Sequence, residues 1–365
     1  MNLFGYIRAI IKYKMKLNEI INILLKALRK NGIGGIRNIL FSYINLKKEP
    51  LIMSSVPLIL QIEPTTFCNL ECSMCINPVI DRNKRHMKYD EFKKIIDSLP
   101  LLRKISLVGA GEPLLNPELF NMISYAKSKD ILIGFATNGM LLNDEVCEKI
   151  IDTRLDWVNI SIDSTDQKQY EETRKGASFV LLSENIKRLV RSKGNNSLPE
   201  ISLWFVVMKD NWKELPALIS LAKDLGIKHV SAQLQHDWGN KDLKEAISSY
   251  LSPGFYADLR RILQEAQVVA KQKGIDFHYV NIPDISRRRS CKWPWKSCYI
   301  TVEGFLTPCC IRGSNPNIVN FGNIFERPFC EIWNNSGYQI FREKLKSKVP
   351  PEVCIGCTSY FGKLF

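Results

Sequence analysis

The sequence predicts an α/β fold: a partial (β/α)6 TIM-like barrel, preceded by a basic helical extension and followed by a small cysteine-rich domain. Three observations carry this. Six short apolar runs alternate with amphipathic stretches from residue 58 onward, the cysteines gather in two groups, and a lysine and arginine excess is concentrated in the first 50 residues. Strands alternating with helices imply parallel pairing through right-handed crossovers. A chain of 365 residues has room for such a barrel with appendages. The expected divisions are 1–52, 53–280 and 281–365.

Residues 1–50 carry ten Lys and Arg against Glu19 and Glu49, giving +8 of the net +14. Leu17, Ile20, Ile21, Leu24 and Leu28 recur at helical spacing, which predicts an amphipathic helix over 14–30 ending near Gly32. Its apolar stripe suits either docking on the barrel or peripheral contact with a membrane surface or an acidic partner. No apolar run reaches ~18 residues, so no transmembrane segment is expected. Lysines interrupt the N-terminal apolar residues and no small-residue cleavage site follows, so a cytoplasmic protein is expected.

The six runs are Leu58–Ile62, Ile105–Val108, Ile131–Phe135, Trp157–Ile162, Ile201–Val207 and His229–Leu234. Between them, helices are expected over Tyr89–Leu99, Pro117–Ser128 and Asn143–Asp152, with start signals at Asp90, at Asn116 with Pro117, and at Asn143. Six units suit an open barrel better than a closed eight-fold one. Ligands of such sheets bind at the carboxyl ends of the strands.

The first strand runs into Cys68-x3-Cys72-x2-Cys75. Thiolates ligate iron–sulfur clusters, and a four-iron cubane held by three cysteines keeps one iron open. Zinc accepts closely spaced thiolates too, and two of the three could form a disulfide, so spacing alone leaves both alternatives standing. Gly109-Ala110-Gly111-Glu112-Pro113 follows the second strand, where glycine lets backbone approach a ligand closely. Ser161 and Asp163 alternate as polar residues on the fourth strand and require partners. Near the C terminus, Cys291 and Cys309 flank a predicted hairpin with Gly304, and Cys354 and Cys357 form a close pair. Together they offer four ligands to one centre, a cluster or zinc. Cys310 is an alternative to Cys309, while Cys298 and Cys330 are expected as buried small hydrophobes. None of His86, His229, His236 and His278 forms a metal-spaced pair.

The three-cysteine loop and its flanks resemble the cluster-binding loop of the radical S-adenosylmethionine (radical SAM) enzymes. Cys291 to Cys357, with its hairpin and the Phe321-Gly322-Asn323-Ile324 and Glu331-Ile332-Trp333 segments, resembles the shortened twitch form of the SPASM domain. The resemblance implies a [4Fe–4S] cluster on Cys68, Cys72 and Cys75 that binds S-adenosylmethionine and yields a 5′-deoxyadenosyl radical, which takes a substrate hydrogen. It implies one auxiliary [4Fe–4S] cluster on Cys291, Cys309, Cys354 and Cys357 for electron transfer, and an external one-electron reductant of flavodoxin or ferredoxin type. It also assigns cofactor contacts: Gly109, Gly111 and Glu112 to the methionine amino group, Ser161 to ribose, Arg174 to the carboxylate, Met74 to adenine, with Asn138 and Asp163 nearby. Ala110 departs from the usual glycine. No catalytic side chain is assigned, and the implied substrate is a peptide, or a sugar or cofactor precursor. The competing classes are a non-catalytic iron–sulfur or zinc protein and a radical SAM methyltransferase.

Overall fold

The computed structural model describes residues 17–236, 238, 252–280, 291–347, 349–355 and 357. Each expected run is a strand: β1 (Ile59–Ile62), β3 (Lys104–Leu107), β4 (Leu132–Thr137), β5 (Trp157–Ser161), β7 (Glu200–Val207) and β8 (His229–Leu234). They lie side by side in the order β1-β3-β4-β5-β7-β8, all parallel. Two-residue strands β2 (Glu71–Cys72) and β6 (Arg174–Lys175) pair separately.

The sheet extends beyond the expected six. β9 (Asp276–Val280) adds in parallel to β8, β10 (Ser297–Ile300) adds in parallel to the other side of β1, and β11 (Leu306–Thr307) returns antiparallel to β10. Five residues of β9 follow directly on a 21-residue helix, Pro253–Lys273, so no separate apolar run announces them. The expected hairpin around Gly304 is β10–β11, and Gly304 sits at φ 91° with the Phe325 ring where a side chain would project.

Period-2 alternation divides the sheet into two faces. Leu60, Ile62, Ile105, Leu107, Ile133, Phe135, Val158, Ile160, Leu203, Phe205, Val230 and Leu234 are fully buried in one continuous core. The alternate positions include Gln61, Ser106, Asn159, Ser161, Ser231 and Gln233, and these are only partly buried. Apolar burial at ~25 cal/mol per Å2 favours this arrangement, and the polar face is left for the inside of the barrel.

Helix starts differ from expectation in two places. The first helix runs Tyr89–Asp97 and is capped by Lys88, whose backbone N–H donates to Glu91 Oε2 at 2.8 Å; Asp90 lies in its first turn. Pro117 precedes the next helix, Leu119–Ser128, and Asn116 instead donates from Nδ2 to Pro64 O (2.7 Å) and Met87 O (3.0 Å). Asn143 caps Asp144–Asp152 as expected, accepting from Val146 N at 2.9 Å.

The N-terminal helix spans Leu17–Lys48 and breaks at Gly32, whose φ of 58° and ψ of −153° are outside helical space. The expected stop is therefore there, but a second helical segment continues beyond it. Ala27, Ile39 and Leu46 are buried in the main core, whereas Leu25 and Leu28 are exposed. Asn38 holds Val56 from both sides, accepting from its N–H at 3.0 Å and donating to its carbonyl at 3.2 Å. Docking on the body is what residues 27–46 do. Among the described residues no helix is long and apolar enough to cross a membrane.

Candidate iron–sulfur and cofactor site

The chain leaves β1 at its carboxyl end and forms a closed loop over residues 66–85. Thr66 N donates to Arg85 O at 3.1 Å, and Arg85 N donates to Thr66 Oγ1 at 2.8 Å, pinning the base. Inside the loop, Cys72 stands opposite Arg174 in the β2–β6 ladder, and Ser73 N donates to Thr173 O at 2.9 Å. Cys75 N donates to Cys72 O at 3.0 Å, and Asn77 N donates to Cys75 Sγ at 3.4 Å. Trp238 Nε1 donates to Met74 O at 2.9 Å, and the Met74 side chain is buried.

The three thiols lie close enough to oppose one another's ionisation. Burial is the larger effect: it raises Cys68 and Cys75 and pushes Cys72 up to about 12, with Arg174 pulling the other way. Without metal these sulfurs hold their protons, and iron displaces them. Three soft thiolates beside a fixed guanidinium form a donor set that fits a thiolate-ligated cluster with an anionic group next to it. Among the described residues no three metal-ligating side chains close to ion-binding range, so the thiols are neighbours rather than a finished shell.

Arg174 is held by Asp163. Its Nε and Nη2 lie 2.7 Å and 2.5 Å from Asp163 Oδ2, and its Nη1 donates toward Cys72 Sγ at 3.8 Å. Asp163 Oδ1 accepts from Val206 N at 2.8 Å, so both carboxylate oxygens are occupied within the protein. Glu112 is likewise engaged. It accepts from Leu114 N (3.2 Å), Thr137 Oγ1 (2.8 Å) and Asn138 N (2.7 Å), and burial raises its pKa. Asn138 Nδ2 in turn donates to Asn69 Oδ1 at 2.8 Å, in the cysteine loop. Gly109 and Gly111 have a packing reason: a Cβ on Gly111 would lie 2.6 Å from Phe67 O and nearer still to Thr65 O, and one on Gly109 2.5 Å from Glu63 Cγ. Ser161 ends β5, partly buried, on the polar face.

The C-terminal cysteines also assemble. Burial pushes Cys291, Cys309 and Cys354 upward, and so do neighbouring sulfurs: Cys309 and Cys357 act on both Cys291 and Cys354, Cys291 on Cys354, and Cys357 on Cys309. Arg312 N donates to Cys309 Sγ at 3.4 Å. Cys310 is partly buried and is pushed up to about 12 by desolvation and then by Cys309, with a hydrogen bond to Gln61 pulling the other way. Cys298 is fully buried on β10, as expected, but Cys330 is exposed on the short helix Phe329–Trp333 and is not the buried hydrophobe anticipated.

The histidines are scattered. His86 shares a 2.8 Å hydrogen bond with Thr65 Oγ1 and lies against the Phe67 ring, 4.6 Å between centroids. His229 and His278 both face Asp276. His236 is half-buried just past the carboxyl end of β8, with its Nδ1 atom buried and unpaired. Sequence reading missed Glu63, Arg82 and Glu303, an ionic group beside the cysteine loop in which Glu63 and Arg82 are buried and Glu303 is partly exposed. The one available signal was an acidic residue, Glu63, directly after a buried strand and before Pro64.

Comparison with known proteins decides the family. The radical SAM superfamily profile matches residues 62–230, and that of an iron–sulfur cluster-binding domain, SPASM, matches 291–358. A probable GTP 3′,8-cyclase of Methanococcus maripaludis is 34% identical over 262 residues, covering 69% of this chain and 84% of that one. The chain belongs to the radical SAM superfamily. A second relative of this radical SAM enzyme is the tungsten-containing aldehyde ferredoxin oxidoreductase cofactor-modifying protein of Pyrococcus furiosus, 29% identical over 318 residues, 82% of this chain and 86% of that one. Streptococcus suis SuiB bound to precursor peptide SuiA has the same fold, with TM-score 0.65 at 17% identity, covering 90% of this chain and 75% of that one. The cofactors of the radical SAM enzyme are accordingly a [4Fe–4S] cluster, S-adenosylmethionine and auxiliary iron–sulfur chemistry in the SPASM part.

Proposed function

We propose that this radical SAM enzyme is a maturase whose first cluster is held by Cys68, Cys72 and Cys75 and whose single auxiliary cluster is held by Cys291, Cys309, Cys354 and Cys357. The observation that carries the reading is the ladder that sets Arg174, fixed by Asp163, against Cys72. When bound, cluster and cofactor supply a 5′-deoxyadenosyl radical that removes a hydrogen atom from substrate.

The chain's own residues bind and orient. Arg174 is rigid and offers planar donors to the cofactor carboxylate. Glu112 and Asn138 join the glycine loop, the end of β4 and the cysteine loop, so that Gly109 and Gly111 backbone reaches the amino group. Ser161 takes the ribose from the polar face, and buried Met74 packs on adenine. Four thiolate ligands would leave the auxiliary cluster no open iron, which suits it to accept an electron in a net oxidation.

As substrate we favour a peptide, supported by the peptide in the SuiB neighbour and by the basic N-terminal segment, which would attract an acidic leader. The cofactor-modifying relative supports a small precursor instead, and added substrate candidates separate the two. An external flavodoxin- or ferredoxin-type reductant completes the partners. We read the protein as cytoplasmic on the chemistry of its eleven cysteines, and keep the division 1–52, 53–280, 281–365. Peripheral membrane contact through residues 1–50 is tested by sedimenting the full chain with anionic liposomes.

The main test is product analysis after anaerobic reconstitution and dithionite reduction. Methionine and 5′-deoxyadenosine are expected from wild type and absent from Cys72→Ala; S-adenosylhomocysteine instead would point to methyl transfer.

A further inference from the structure

Glu63, Arg82 and Glu303 form a chain of charges, buried at Glu63 and Arg82, that links the segments carrying the two cysteine groups. Glu63 lies five residues before Cys68, Arg82 seven after Cys75, and Glu303 six before Cys309. Arg82 Nη2 is 2.6 Å from Glu63 Oε2 and 2.6 Å from Glu303 Oε2. Its Nε donates to Glu303 Oε1 at 3.2 Å, and its Nη1 donates to Ser314 O at 2.6 Å. One guanidinium thus grips the segment carrying Cys309 on both sides of that cysteine.

Glu63 completes the junction. It accepts from Ala110 N in the glycine loop and from Val302 N in the β10–β11 hairpin, each at 3.1 Å. The side chains of Arg82 and Glu63 are 4% and 0% exposed, so water screens these charges little. The other ties on the cysteine loop described above, Arg174 to Cys72, Trp238 to Met74 and Thr66 to Arg85, do not reach the C-terminal residues.

We propose that Arg82 is a positioning residue that couples the two cysteine sites, so that filling the C-terminal site fixes the loop and the field around the first. This rests on reading both cysteine groups as cluster sites. A cluster's potential responds to nearby charge and to the hydrogen bonding of its ligands, so the coupling has a readout that needs no substrate.

The experiment uses the full chain, reconstituted anaerobically, in wild-type, Arg82→Met, Arg82→Lys and Glu303→Gln forms, each with and without Cys354→Ala/Cys357→Ala. Iron content, and the electron paramagnetic resonance spectrum and midpoint potential of the remaining first cluster, are measured with S-adenosylmethionine added. In wild type, emptying the C-terminal site is expected to shift the spectrum and potential. In Arg82→Met that shift disappears, and Arg82→Lys restores part of it. Should Arg82→Met fail to fold, Glu303→Gln carries the same comparison with the Glu63 contact intact. A shift of the same size in wild type and in the Arg82 and Glu303 variants overturns the coupling, as does no shift in wild type. Full iron retained by the double cysteine variant instead removes the premise that the C-terminal site is a cluster site.

Discussion

Cys72 and Arg174 are 102 residues apart in sequence and face each other across a two-residue antiparallel ladder, with the guanidinium Nη1 3.8 Å from the sulfur. The pairing brings a fixed cation to the rim of a thiol trio. That cation is fixed because Asp163 occupies its other edge.

Asp163→Asn is expected to abolish that fixation. It leaves a buried guanidinium without its counter-charge, a loss of about 3–5 kcal/mol for broken buried pairs. Denaturant unfolding should show the drop, and 5′-deoxyadenosine formation should fall at least tenfold; unchanged values in both would contradict the role given to the pair.

Iron analysis tests the ligand sets. Cys72→Ala and the Cys354→Ala/Cys357→Ala double variant should each lose about half the iron and sulfide of wild type, since two cubanes of equal size are assigned. Equal iron in wild type and double variant would exclude the auxiliary site.

Gly111→Ala places a methyl group against Thr65 O and Phe67 O, where backbone cannot give way without moving the cysteine loop. Overpacking of this kind costs about 1–3 kcal/mol. The expected outcome is a lower unfolding midpoint together with faster loss of iron from the first site to a chelator; stability lost with iron retention unchanged would uncouple the glycine loop from the cluster.

His236 gives a pH dependence. Burial first, and then the charge of Arg312, lower its pKa from 6.5 to about 4. Between those values the unfolded chain binds one proton more than the folded chain, so stability rises with pH across the window and is lost as pH falls through it. The slope for one proton is about 1.4 kcal/mol per pH unit. His236→Gln should unfold with a shallower dependence than wild type between pH 4 and 6.5, and parallel curves would refute the assignment.

Much of the barrel could be read directly because each of its strands is a short β-rich run bounded by a helix cap or a turn. Asn143, which caps its helix with its own side chain, shows how local such signals are. β9 escaped because the alternation in Ile275-Asp276-Phe277-His278-Tyr279 is short and follows a long helix with only Gly274 between, and it gains its place by pairing with β8. The second half of the N-terminal helix escaped because Gly32 does break the helix, yet Ile39 and Leu46 find a core supplied by distant residues. At the site, cysteine spacing is local and was visible. The partners that orient it were not, since Asp163–Arg174 and Arg82–Glu303 are contacts between segments whose sequences carry no mark of each other.

β1 has one further property, set by its neighbours. The strand that launches the cysteine loop hydrogen-bonds on one side to β3 and on the other to β10, with Ile59 in register with Ser297. Until the ribosome has delivered residue 300, that second edge has no mate, and an unmet strand edge invites pairing with other chains. Truncated products that stop short of β10 should therefore be clients of chaperones rather than half-active enzymes.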